Sequence, residues 1–301
     1  MQLSIILATA DDHPTKEIPC PFVAGSRAVD RDVLIRTAGV PMARRHSYAS
    51  LMAIAAARNC LKDQDLGNAR IGVIATGGSN HLDVAWTLTK GIIDEGSEFI
   101  DPLSFPHSIP SSIAASVAIA CKATAFALGI GHSSHAFFEA MAHSTRMINA
   151  GFADAALIVA VHHSSPVVVT AAQKGFGRNS RESSMCALLT PATVSVPSLK
   201  LMKVQLSHGA RIASPTVCDN LPTDRVFTEE NLGYSKVDSA FAATGGNLLL
   251  KAAYEMSLRR GDMRQLPFAV TLGGNQRSSL LVSWKHLPNH QEANRADQEI
   301  S

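Results

Sequence analysis

The stretch Gly131-His132-Ser133-Ser134-His135 holds the residue types and spacing best suited to covalent chemistry in this chain. A serine hydroxyl at a helix start can take an acyl group if a positioned base removes its proton. His162 and His163, just past a second apolar run, and His208 further on are the imidazoles that could serve as that base. His132 and His135 form an H-x-x-H pair, but no third ligand stands nearby, so no metal is expected. Thr76-Gly77-Gly78-Ser79 is a glycine-rich turn without G-x-G-x-x-G or G-K-[ST], so no nucleotide or other cofactor is expected either. A plain strand-to-helix turn accounts for that segment, and strand-end histidines such as His162 and His163 are ordinarily solvated or capping.

The flanking residues predict how the elbow is held. Residues 125–130 form a short apolar run of strand length, while Phe137, Ala140, Met141, Ser144 and Ile148 recur at helical spacing. Gly151 falls where that helix needs a left-handed cap, and residues 155–161 are continuously apolar, as in a strand buried on both faces. Upstream, the pattern predicts a first strand at 3–8 and a long irregular connection to Pro41. A helix opened by Ser47 then presents Leu51, Ile54, Ala55 and Leu61 on one face, and a buried strand follows at 71–75. Further helices are expected at 82–93, stopped by Gly96, and from Ser111 or Ser112 to Cys121. Downstream come strands at 185–189 and 199–206 and a polar surface connection at 214–238. A helix at 248–258 and a hairpin of 268–272 with 279–284 complete the pattern. Strands alternating with helices predict an α/β fold with a largely parallel sheet.

Composition narrows the function classes. With 301 residues, 46% hydrophobic and 17% charged, the chain can bury a large core as one domain or two fused halves. A net charge of +2 without a dense basic run gives no support to nucleic-acid binding. Five scattered cysteines without a C-x-x-C pair read as a reduced, cytoplasmic protein, and no segment has the length and apolarity to span a membrane.

Several segments together resemble the β-ketoacyl synthases of the thiolase superfamily. They are Pro102-Leu103-Ser104-Phe105-Pro106-His107-Ser108-Ile109-Pro110, the apolar helix at 114–120, the elbow at 131–136 and Ala150-Gly151-Phe152-Ala153-Asp154-Ala155-Ala156-Leu157. Gly245-Gly246 before a helix with Tyr254, and Leu272-Gly273-Gly274-Asn275 before a closing strand, resemble the family's C-terminal pieces. The resemblance implies a layered αβαβα fold with an N-terminal half at 1–195, a shortened C-terminal half at 196–286 and a polar tail at 287–301. It also places Ser134 where the family carries its nucleophilic cysteine, and Ala242, or Phe241 with a one-residue slip, where it carries a histidine. His208 is a possible relic of the other histidine, followed by Ala210 where the family has threonine.

A lost cysteine and a lost histidine resemble the chain length factor, the inactive ketosynthase-like subunit that pairs with an active ketosynthase in type II polyketide, aryl-polyene or fatty-acid-like synthesis. That resemblance implies no catalysis by this chain alone and pairing through the 125–130 strand. It further implies an acyl carrier protein reached through the complex, with Phe137, Phe138 and Met141 candidates for the wall of the partner's acyl tunnel. At core spacing the same residues are more often simply core. An acyltransferase or thioesterase using Ser134, with His162, His163 or His208 as base, is the alternative. Arg44-Arg45 and Arg259-Arg260 could meet an acidic carrier, or form solvated faces.

Overall fold

The computed structural model describes residues 3–9, 15–17, 27–29, 31–41, 46–62, 64–77, 81–131, 135–163, 165–167, 170, 182–191, 198–208, 222, 225–228, 249, 251–253, 255–256, 267–272 and 276–286. In chain order the elements are β1 (Leu3–Thr9), β2 (Thr15–Glu17), β3 (Arg27–Val29), α1 (Arg31–Ala38), α2 (Tyr48–Leu61), β4 (Ile71–Thr76), α3 (Leu82–Glu95), α4 (Ser112–Cys121), β5 (Ala127–Ile130), α5 (Ala136–Asn149), β6 (Ala155–His162), β7 (Ser183–Thr190), β8 (Ser198–His208), β9 (Val226–Thr228), β10 (Phe268–Leu272) and β11 (Gln276–His286).

Nine strands join one sheet in the order β5-β4-β6-β7-β1-β8-β11-β10-β9. Around the antiparallel β1–β8 pair the order repeats. Outward from β1 run β7, β6, β4 and β5; outward from β8 run β11, β10 and β9, and each half starts with its own first strand next to its last. This is the order of a duplicated unit related by a two-fold axis through the antiparallel pair. Among the described residues the second half has no counterpart of β5. The 195/196 boundary, the 287–301 tail and the glycines of the C-terminal hairpin lie outside the described residues.

The sheet is mixed rather than largely parallel. β4 pairs parallel with β5 and β6, and β9 parallel with β10, while β7, β1, β8 and β11 run antiparallel to their neighbours. Strand alternation along the sequence cannot reveal this, because direction is set by how each connection returns the chain.

Period-two alternation sorts the strands onto two cores. Ile5, Ile74, Ile158, Ala187 and Phe268 join Phe137, Phe138 and Met141 of α5 in one, together with Leu249, Ala252, Ala253 and Met256. Ile6, Val73, Leu157 and Cys186 join α2, Ile113 and Val117 of α4 in the other. Strands of both halves thus contribute to the core around α5. On the opposite face α2 is sunk so deeply that ten of its residues from Ala49 to Cys60 are buried, rather than the single expected stripe. Ser47 caps it, its hydroxyl accepting from Ser50 N at 3.2 Å.

The expected irregular stretch before Pro41 contains α1, β2 and β3. α1 escapes pattern reading because its buried positions are only Leu34 and Ala38, one turn apart on a helix with charge at three of eight positions.

Candidate functional site

β5 leads into the elbow, and Gly131 makes the bend with φ +49, a conformation in which a side chain would be strained. His132, Ser133 and Ser134 lie outside the described residues. α5 follows from Ala136, its first-turn amides of Phe138 and Glu139 donating to the carbonyl of His135 at 2.9 and 3.0 Å. It ends as its spacing predicts. Gly151 adopts φ +76 and the amide of Phe152 reaches back to the carbonyl of Met147 at 3.0 Å.

At that same end of the sheet an Arg70–Asp154 pair clamps the starts of β4 and β6. The guanidinium donates to Asp154 Oδ1 at 2.9 Å and to Oδ2 at 3.1 Å, and also to the Gly151 carbonyl at 2.9 Å. Hydrogen bonding from Arg70 holds the Asp154 carboxyl down at about 2.

At the opposite, elbow end, β4 and β5 stop together, with Thr76 beside both Ile130 and Ala160, and β6 runs two residues further to His162. Thr76 follows Ile74 on the α5 face of β4, and its buried hydroxyl has no hydrogen-bond partner among the described residues. His162 follows Ala160 on the same face of β6 and is 2% exposed. Burial, with His163 beside it, pushes its pKa down to about 3, so the ring is neutral at physiological pH.

His163 makes its contacts elsewhere. Its Nδ1 lies 2.7 Å from Glu182 Oε1, Tyr48 of α2 donates to Glu182 Oε2 at 2.8 Å, and the Tyr48 and His163 rings stack with centroids 4.8 Å apart. Asp83 of α3 stands 4.0 Å from His163 Nε2. Burial alone would lower the His163 pKa, but the hydrogen bonds and charges of Asp83 and Glu182 outweigh it, and the net shift is upward.

His162 is therefore buried and the His163 side chain is only 11% exposed, against the expectation of solvated or capping roles, and the two rings carry opposite electrostatics. Sequence reading missed Tyr48, Glu182 and Asp83. Glu182 sits in a stretch that reads as a polar loop, and no local spacing links it to a helix start 134 residues away.

His135 is buried, and among the described residues no group of His, Cys, Asp or Glu is arranged to hold a metal ion. His208 ends β8 beside Gln276; Ala242, Phe241 and the paired arginines 44–45 and 259–260 lie outside the described residues. Phe137, Phe138 and Met141 are placed with zero exposure in the core that α5 shares with both halves of the sheet. In the isolated chain they present no surface, because the face of α5 that carries them is the face that packs on β6 and β4.

The exposed apolar residues lie elsewhere. β5 is the edge of the sheet, with Ala127, Leu128 and Gly129 exposed. Ser111 approaches so close to Gly129 that a Cβ there would stand 3.0 Å from the Ser111 Cα, which ties the start of α4 to the edge strand. Beyond it the 105–108 turn packs on α3, and Phe105, Leu103, Ile109, Trp86 and Ile93 are exposed, Trp86 by 58% and Ile93 by 76%. None of the fourteen residues of α3 is buried.

No protein-family model matches the sequence, and no characterised protein matches it by sequence. Solved structures do match the fold. The ishigamide ketosynthase/chain length factor superposes with a TM-score of 0.64 at 13% identity, over 85% of each chain. A β-ketoacyl synthase from Burkholderia phymatum STM815 gives 0.64 at 11% identity, over 95% of this chain and 100% of the other. The ketosynthase ApeO in complex with its chain length factor ApeC from Xenorhabdus doucetiae gives 0.52 at 12%, over 94% and 99%. The chain has the thiolase-like fold of the ketosynthases, as the sequence resemblance implies.

Proposed function

We propose that this chain is a ketosynthase-like subunit of the chain length factor type, without catalysis of its own. It pairs with an active ketosynthase and shapes that partner's acyl tunnel, and carrier-bound intermediates reach it only through the complex. The observation that carries the reading is the open edge of β5, four residues paired on one side only among the described residues, together with the exposed apolar residues of α3 and of the 105–109 turn. An unpaired apolar edge is a liability in a monomer, and strand addition across a two-fold removes it. Four residues of strand fall far short of the roughly 800 Å² per partner that a stable interface needs, and the neighbouring apolar side chains make up the difference. With Phe137, Phe138 and Met141 buried, those same exposed residues are the ones a partner's tunnel can meet.

The test is co-expression with a ketosynthase encoded beside it, followed by size-exclusion chromatography and product analysis. A one-to-one complex whose product length changes when Trp86 or Phe105 is cut to Ala is the expected result. A stable, well-folded monomer at micromolar concentration that ignores the ketosynthase would end this reading.

The acyltransferase alternative needs a base beside Ser134, and His162, neutral on the α5 face of the sheet, is a weak one because burial holds its pKa down at about 3. Intact-mass measurement after incubation with acyl carrier proteins separates the two readings. The partner-subunit reading expects no adduct on Ser134, and the acyltransferase reading expects one that His162→Gln abolishes.

A further inference from the structure

α3 poses a mechanical question. It is an apolar helix with no buried residue, resting on the turns at 97–99 and 105–108, yet it carries much of the surface proposed to meet the partner. Among the described residues, the ion pair joining it to the sheet runs from Asp83 in its first turn to His163 at the end of β6.

Among the described residues, these groups face the His163 ring. Glu182 at the start of β7 meets Nδ1 at 2.7 Å, Asp83 of α3 faces Nε2 at 4.0 Å, Tyr48 of α2 stacks on the ring and holds the far oxygen of Glu182, and His162 precedes it on β6. We infer that His163 is the positioning residue of α3: its doubly protonated ring, shared between a buried and a half-exposed carboxylate, fastens the partner-facing helix to the sheet, and loss of one proton releases it.

The chemistry of the ring supports this reading. An imidazolium donates to Glu182 and its positive charge attracts Asp83 across 4.0 Å; a neutral imidazole keeps one donor and loses that charge. On deprotonation the short bond to Glu182, whose side chain is 1% exposed, is the one kept, because an abandoned buried carboxylate is costly. Asp83, 44% exposed, can turn to water at little cost. The upward shift of the His163 pKa places that release on the alkaline side of an ordinary histidine.

This inference rests on the partner-subunit reading only for the meaning of α3; its test needs no partner. Hydrogen–deuterium exchange of the full chain, expressed as protection relative to intrinsic rates, would be followed from about pH 6 to about pH 9. Alongside it, ring-nitrogen NMR would follow the titration of His163. Protection in α3 is expected to drop about tenfold as the ring deprotonates, while α2 and β6 hold theirs. Asp83→Asn should leave α3 weakly protected at every pH and lower the midpoint of the His163 titration.

Three outcomes would overturn the proposal: protection of α3 that does not follow the ring, an Asp83→Asn variant with unchanged pH dependence, or α2 and α3 losing protection together. The last would make the network a general stabiliser. Failure to bind a ketosynthase would leave these outcomes as they stand, so the two readings fail separately.

Discussion

α2 and α3 have the same length, fourteen residues, and both are rich in apolar side chains, yet ten residues of one are buried and none of the other. α2 is built of alanines with Leu51, Met52 and Ile54 among them, slim enough to sink between the sheet and α4. α3 carries Leu82, Trp86, Ile92 and Ile93, larger side chains that remain exposed. Apolar surface removed from water contributes about 25 cal/mol per Å² wherever it is buried. α2 realises that contribution within the chain, whereas α3 would realise it only at the proposed interface.

The contrast makes core and surface substitutions behave oppositely. Phe137→Ala should cost about 3–5 kcal/mol and Leu51→Ala about 2–5 kcal/mol of unfolding free energy. Urea denaturation would show it, and product length in a reconstituted complex should not change. If Phe137→Ala instead lengthened products without loss of stability, α5 would line a tunnel after all and the division would fail.

Trp86→Ala reverses the pattern, with stability within about 0.5 kcal/mol of the parent chain. Binding to a ketosynthase should weaken by about 2 kcal/mol, roughly thirtyfold, as expected for an aromatic anchor at an interface. Isothermal titration would measure the affinity. Equal affinity would remove α3 from the interface.

Leu128→Lys places a charge on the open edge strand. It should weaken the same complex by about 1 kcal/mol through poorer strand addition, again with little effect on folding of the chain. Comparing the two variants by sedimentation tells whether the strand or the helix dominates.

The two histidines act on stability through pH, with opposite signs. His162 has a depressed pKa, so its neutral burial costs nothing above the ordinary histidine value. Stability then falls as acid charges the unfolded chain, over the window from about 6.5 down to about 3. His163 has a raised pKa, so its contribution is complete below the ordinary value and is lost as pH rises through the folded one. Urea midpoints measured across pH should therefore peak between the two. His162→Asn should flatten only the acid limb, and Asp83→Asn should shrink only the alkaline one.

Local pattern made much of the N-terminal half readable. Helical spacing from Phe137 to Ile148 with a cap at Gly151, and the continuous apolar run of β6, predicted elements that the fold contains nearly residue for residue. These features are legible because a helix face and a glycine cap are properties of neighbours in sequence. α1 was not, since two buried residues on a charged helix leave almost no period to detect.

The sequence by itself determined the strand–elbow–helix unit, the apolar character of 125–130 and the absence of a metal-ligand or phosphate-loop motif, because each depends on residues within a turn or two of one another. Tertiary structure alone decided that β5 is an edge and that α3 is left uncovered. It alone turned His162 and His163, adjacent in the chain, into a neutral ring on the α5 face and a ring set between Glu182 and Asp83 with its pKa shifted upward. The physical reason is that exposure and charge are set by what packs against a residue. For His163 those groups, Tyr48, Asp83 and Glu182, are brought from three distant parts of the chain by the order of the strands.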